Sequence, residues 1–189
     1  LNEKFKENTG QTLIIENKAG GSGFIAAQAA ASAAPDGYTL LLGGTGLMTI
    51  NPHIFSKVPY DVEKSYKPVS NFLGSALVFA VHASVSAENL SDFIALTKAN
   101  PGKVGTGSTE ALSSFIGQEM ARRAGVEMPD IAYRSGGPLM NDIVAGHLPS
   151  GWTSTVSAMP HMQTGRVRVL AVSTGTRSPY FPDAPTPAE

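Results

Sequence analysis

The stretch Ala34 to Gly46 (APDGYTLLLGGTG) constrains the fold more than any other part of the chain. Pro35-Asp36-Gly37 is turn chemistry: Pro presets φ, Asp bonds its own backbone and Gly accepts φ > 0. Tyr38-Thr39-Leu40-Leu41-Leu42 is then a short, nearly continuous apolar run, as expected of a strand covered on both faces. Gly43-Gly44-Thr45-Gly46 follows and offers backbone N–H groups and one hydroxyl. In open α/β sheets ligands bind just outside the carboxyl ends of strands. The segment therefore predicts a buried strand over 39–43 that ends in a ligand loop.

The rest of the chain alternates helical and strand patterns. Helices are predicted over 1–8 (closed by Asn8-Thr9-Gly10), 24–34, Leu90 to Lys98, 113–124, 138–145 and 157–164. Ser91 is the candidate N-cap of the third of these, and Asn100-Pro101-Gly102 ends it. Strands are predicted at Leu13 to Asn17, within 69–82 (one long strand or a pair), at Val104 to Thr106, Asp130 to Tyr133, 150–154 and Val167 to Ser173. Such alternation argues for parallel pairing in an α/β fold. The chain opens at Leu1 inside an amphipathic pattern and closes on Pro187-Ala188-Glu189, which reads as the first turn of a helix. Both ends read as cut.

Charge and composition exclude several function classes. The formal net charge is −1, so no basic footprint for nucleic acid is visible. Cysteine is absent, which removes disulfides, thiolate metal sites and a Cys nucleophile. His53, His82, His147 and His161 lie far apart, without metal-ligand spacing. No apolar run reaches the ~18 residues that a membrane span needs.

Gly21-Ser22-Gly23-Phe24-Ile25-Ala26 fits G-x-G-x-x-A between a predicted strand and a helix, the context of a dinucleotide loop. That site also needs an acid ending the next strand, about 20 residues on. Gly43-Gly44-Thr45 stands there, so a tight strand-to-helix turn is favoured and no cofactor is expected. No G-x-S-x-G elbow pairs a Ser with a His, and no catalytic residue is assigned. Asp142 reads as a surface or capping carboxylate. Trp152 either walls a ligand pocket or fills the core, and Tyr133 leans towards the core. Thr45, Ser108, Thr109, Ser135, Thr153 and Ser154 fall at or near predicted strand ends. Small hydroxyls, glycines and free N–H groups there suit a carboxylate, with helix N-termini adding a favourable field.

Taken together, the segments IIENKAGGSGFIAAQAAASAAPDGYTLLLGGTG, INPHIFSKVPYD, VHASVSAENLSDFIALTKANPGKVGTGS, AYRSGGPLMNDIVAGHL and SAMPHMQTGRVRVLAVSTGTRSPYFPDAPTPAE resemble one family over nearly the whole chain. They look like the substrate-binding proteins of tripartite tricarboxylate transporters, the Bug-type receptors. The resemblance implies an α/β fold of the periplasmic-binding-protein type II class, two lobes with mixed, mostly parallel sheets around a cleft. It puts the first lobe at residues 1–80 plus 171–189, incomplete, and the second at 81–170. Crossings between lobes are expected near Val81-His82 and Leu170-Ala171. The family's first strand and its Pro-Gly-Gly-type loop would precede Leu1, as would a signal peptide directing the protein to the periplasm.

The function implied is capture of a small organic acid (a di- or tricarboxylate or an aromatic carboxylate) and delivery to membrane permease subunits, without catalysis. The effector domain of a transcriptional regulator, which shares the fold, is the alternative. Carried over by position, the ligand-binding residues are Gly44, Thr45 and Gly46 from the first lobe. Ser108, Thr109, Ser135, Gly136, Thr153 and Ser154 come from the second. Three departures from the family pattern matter. Glu110-Ala111-Leu112 adds a carboxylate beside the ligand loop, and Tyr133-Arg134-Ser135 replaces the usual Tyr-Lys-Gly. Trp152-Thr153-Ser154 lacks the usual Asp, which favours a carboxylic acid over an amino acid as ligand.

Overall fold

The computed structural model describes residues 1–186 and 189. The helical turn expected at Pro187-Ala188-Glu189 therefore falls on positions, 187 and 188, outside the described residues. In chain order the helices and strands are α1 (Asn2–Thr9), α2 (Phe24–Ala31), α3 (Asn51–Ile54), β1 (Leu77–His82), α4 (Leu90–Ala99), β2 (Thr106–Ser108), α5 (Ala111–Ala124), β3 (Asp130–Ala132), α6 (Gly136–Val144), β4 (Ser150–Ser154), α7 (Thr155–Gln163) and β5 (Val167–Val172). A single π-type turn, Gly46–Ile50, precedes α3.

The five strands form one mixed sheet in the order β3-β2-β4-β1-β5. β2 runs parallel to β3 and β4, whereas β1 runs antiparallel to β4 and β5. An α/β fold with a mixed sheet agrees with the sequence expectation. The period-2 alternation of β1 and β4 explains the layering. Phe79, Val81 and Trp152 point to one face, where they join Phe93 of α4 and Met120 and Ala121 of α5 in a single buried cluster. Phe79 stacks edge-on against Phe93 at 4.9 Å and lies 5.2 Å from Trp152. Trp152 is thus core, seated over Gly117 of α5, where an added Cβ would lie 3.3 Å from its ring. Ala80 points to the opposite face and packs with Leu139, Met140 and Ile143 of α6.

That second face depends on two glycines. Gly107 and Gly151 sit opposite one another in the β2–β4 pairing. A Cβ on Gly107 would overlap Leu139 Cδ1 and come within 2.7 Å of Leu148 Cδ2. A Cβ on Gly151 would sit 3.0 Å from both Leu139 Cδ1 and Ile143 Cδ1. Side chains are missing from the strands because a helix has to come this close. Leu139 fills the notch and is fully buried.

Several sequence expectations need correction. The strands predicted at Leu13 to Asn17 and 39–43 do not form. Neither segment finds a ladder partner among the described residues, and Ile14 is 88% and Tyr38 93% exposed. A β-prone sequence becomes a strand only when a neighbour takes its N–H and C=O groups. The predicted strand region 69–82 narrows to β1. β2 begins two residues later than Val104, so Gly107 and Ser108 lie in the strand and not in a loop. Asn89, not Ser91, caps α4, its side chain accepting the Asp92 amide at 2.9 Å. Val81-His82 and Leu170-Ala171 lie inside β1 and β5. Where β1 starts and β5 ends, the Leu77 amide donates to Ser173 Oγ and the Ser173 amide to the Leu77 carbonyl, both at 2.9 Å.

The Gly107→Ala substitution should destabilise the protein by ~1–3 kcal/mol, the usual cost of overpacking. Gly175→Ala, whose added methyl meets nothing within 4 Å, should leave stability unchanged. Urea denaturation of the two variants measures the difference, and equal midpoints would refute the notch.

Candidate functional site

Parallel pairing brings the carboxyl ends of β2, β3 and β4 to one edge of the sheet, and α5, α6 and α7 begin just beyond them. All three helix N-termini therefore point their unpaired amides towards that edge. The candidate residues 108–109, 135–136 and 153–154 ring it.

Ser135 and Ser154 start α6 and α7. Ser135 is exposed and its side chain makes no cap hydrogen bond. Ser154 Oγ accepts the Ser157 amide at 3.2 Å and shares a proton with Ser157 Oγ at 2.9 Å. The two helix starts touch: a Cβ on Gly136 would stand 2.6 Å from Ser157 Oγ and 3.4 Å from Thr153 Oγ1. Thr153 is 1% exposed and its hydroxyl has no partner. Thr153 thus lies beneath the rim, while Ser135, Gly136, Ser154 and Ser157 form the rim itself. Ser157 was not singled out from the sequence. Its signal is the spacing Ser154-x-x-Ser157, a hydroxyl cap reaching the third helical residue.

The β2 loop is built differently. Ser108 is buried, and its hydroxyl donates to Asp130 Oδ2 at 3.1 Å, where Ser114 Oγ also donates. Ser113 Oγ accepts the amides of Thr109 and Glu110 at 3.0 and 3.1 Å and donates to the Glu110 carbonyl. Glu110 is the N-cap of α5, its side chain turned back to the helix start as in a capping box. Burial pushes its carboxyl above the usual carboxylate range. Asp130, absent from the sequence assignment, is the anchor of this corner.

Gly44 and Thr45 are exposed and Gly46 is buried. The Gly44 carbonyl accepts the Met48 amide, and the Thr45 carbonyl accepts Thr49 Oγ1 at 2.8 Å. The amides of residues 43–46 take no partner among the described residues. Gly46 packs on the start of α5, so that an added Cβ would lie 3.0 Å from Glu110 Oε2 and 3.7 Å from the Leu112 amide. The loop at 43–46 and the loop at 108–110 therefore meet through Glu110.

Two other sequence candidates are structural. Tyr133 packs beside Leu139 and donates its hydroxyl to Asp142 Oδ2 at 2.6 Å. Burial and the Asp142 carboxylate push its phenol up to about 12. Asp142 is thus a brace for Tyr133 and not a helix cap. The Gly21-Ser22-Gly23 turn starts α2, but no strand precedes it among the described residues, so the dinucleotide context is missing. Among the described residues no group of three His, Cys, Asp or Glu is placed to hold a metal.

The whole chain, residues 1–189, matches the family described as the tripartite tricarboxylate transporter family receptor. A UPF0065 protein of Bordetella bronchiseptica is 36% identical over 189 residues, covering 100% of this chain and 56% of its own length. The chain thus spans little more than half of the curated relatives it matches. A solved structure described as a periplasmic transporter superposes with a TM-score of 0.93 at 33% identity, over 99% of this chain and 63% of the other. The Rhodopseudomonas palustris protein Rpa4515 with adipate gives a TM-score of 0.93 at 25% identity, over 98% and 62%.

Glu110 in the fold titrates above its ordinary value, 4.5. Its contribution to stability is fully present below that value and is lost as pH rises through the raised one. The stability of the unsubstituted protein minus that of Glu110→Gln should therefore fall as pH rises above 4.5. Urea titrations at rising pH would show it, and a pH-independent difference would contradict it.

Proposed function

The chain belongs to the tripartite tricarboxylate transporter receptor family, and from this we propose that it is the ligand-capturing part of an extracytoplasmic receptor for a small organic carboxylate. The observation that carries this is the junction of α6 and α7. Two nine-residue helices begin side by side there, at Gly136 and Thr155. Free amides, the Ser135, Ser154 and Ser157 hydroxyls and two helix fields offer a carboxylate hydrogen-bond donors without a fixed cation. An unpaired, buried Thr153 hydroxyl behind them costs stability unless a partner arrives. The adipate held by Rpa4515 belongs to the ligand class that such a donor set suits.

The ligand residues proposed are Gly44, Thr45 and Gly46 from one side, facing Ser108, Thr109, Ser135, Gly136, Thr153 and Ser154 from the other, with Ser157 added. Backbone donors dominate, which suits reversible capture: they bind the carboxylate firmly in a desolvated cleft and let it go when the cleft opens to water. The intact receptor works in the periplasm and hands its ligand to membrane permease subunits. Its two lobes, 1–80 with 171–189 and 81–170, close about the segments that join them, within β1 and β5.

Gly136→Ala tests the junction, because the new methyl would intrude on Ser157 Oγ. Calorimetry of the intact protein against adipate, citrate and benzoate should find a carboxylate that binds. The variant should bind it at least about tenfold more weakly, ~1.4 kcal/mol, while remaining folded. Equal affinity in the variant would remove the α6–α7 junction from the site.

A further inference from the structure

Resting on the carboxylate-receptor reading, we infer that the ligand carries a carboxylate at one end and a hydroxyl at the other, and that Glu110 is the residue that selects the hydroxyl. The two sides of the cleft differ in kind. The α6–α7 side presents amides and serine hydroxyls around Gly136, with the unpartnered Thr153 hydroxyl behind. On the α5 side the serine hydroxyls are taken. Ser108 and Ser114 give their protons to Asp130, and Ser113 receives the amides of Thr109 and Glu110. Beside them stands the Glu110 carboxyl, turned onto the start of α5 and half-buried against Gly46.

No cation lies within ion-pairing distance of this corner among the described residues. Neither Glu110 nor Asp130 joins an ion pair among the described residues. The 46–50 turn (GLMTI) contributes no titratable group, and β3 contributes Asp130. On α5 itself, Glu119, Arg122 and Arg123 pair with one another, and Glu119 lies nine residues along the helix, roughly 13 Å at 1.5 Å per residue. A second ligand carboxylate at this corner would meet like charge with little solvent between them, which repels it. A hydroxyl would instead donate to Glu110, a charge-assisted hydrogen bond. A site that holds an acceptor for a ligand O–H rejects the analogue that lacks it more strongly than an apolar pocket rejects an extra methylene.

Burial already holds the Glu110 carboxyl above its usual range, so acidification neutralises it sooner than an exposed glutamate. Selectivity against a dicarboxylate should therefore weaken at low pH.

The test is calorimetry on the intact protein with two length-matched pairs: 6-hydroxyhexanoate against adipate, and 4-hydroxybutyrate against succinate. At pH 8 a hydroxy acid should bind at least about tenfold more tightly than its dicarboxylate partner. The ratio should shrink at pH 5, and Glu110→Gln should bring it near unity at both pH values. A dicarboxylate that binds the unsubstituted protein as tightly as its hydroxy acid at pH 8 would overturn the inference. So would a ratio unmoved by Glu110→Gln. Failure of all four probes, with tight binding of an uncharged or cationic solute, would overturn the carboxylate reading itself and this inference with it.

Discussion

Leu139 resting on Gly107 and Gly151 is the contact from which the site's geometry follows. Leu139 stands in the first turn of α6, so the depth to which its side chain sinks sets how near Gly136 comes to the sheet edge. Two strand residues without side chains let it sink fully. The same closeness brings Gly136 against Ser157 and seals the Thr153 hydroxyl beneath it. Packing on the far face supports this arrangement. Trp152, flanked in β4 by Gly151 and Thr153, is locked by Phe79 and Gly117, so the strand cannot tilt to relieve crowding on the α6 side. A dense interior transmits position in this way because it has no slack to absorb a shift.

Electrostatically, the candidate site gathers three helix starts at one sheet edge. One of them, α6, has no side-chain cap, and at α7 the Ser154 hydroxyl takes only the Ser157 amide. The third, α5, is closed by its own side chains: Ser113 occupies the neighbouring amides and Glu110 stands at the cap. One sheet edge thus carries a donor-rich corner beside an acceptor-rich one. The difference comes from a single capping residue and needs no change in fold.

From residue 77 onward, most of the fold was legible in the sequence. Helix stops at Gly125 and Gly146 adopt positive φ as turn chemistry requires, and strands alternate with helices at the spacing of a layered α/β protein. Each strand there finds its neighbour within the described chain. Before residue 77 the same signals misled, because Leu13 to Asn17 and Tyr38 to Gly43 carry strand propensity without a ladder partner. The serines and threonines of the site were legible as loop hydroxyls at strand ends. Their division of labour was not. Whether Ser108 faces a ligand or Asp130, and whether Glu110 turns away or onto Gly46, is decided by contacts between segments distant in sequence.

Gly46 and Glu110 share one small volume although they are 64 positions apart (110 − 46). A side chain at position 46 would need the space that the Glu110 carboxyl occupies, and a shorter residue at 110 would leave that space open. A larger residue at position 46 therefore requires the Glu110 side chain to give way. Among descendants of this sequence, loss of the Glu110 side chain would ease the constraint on Gly46.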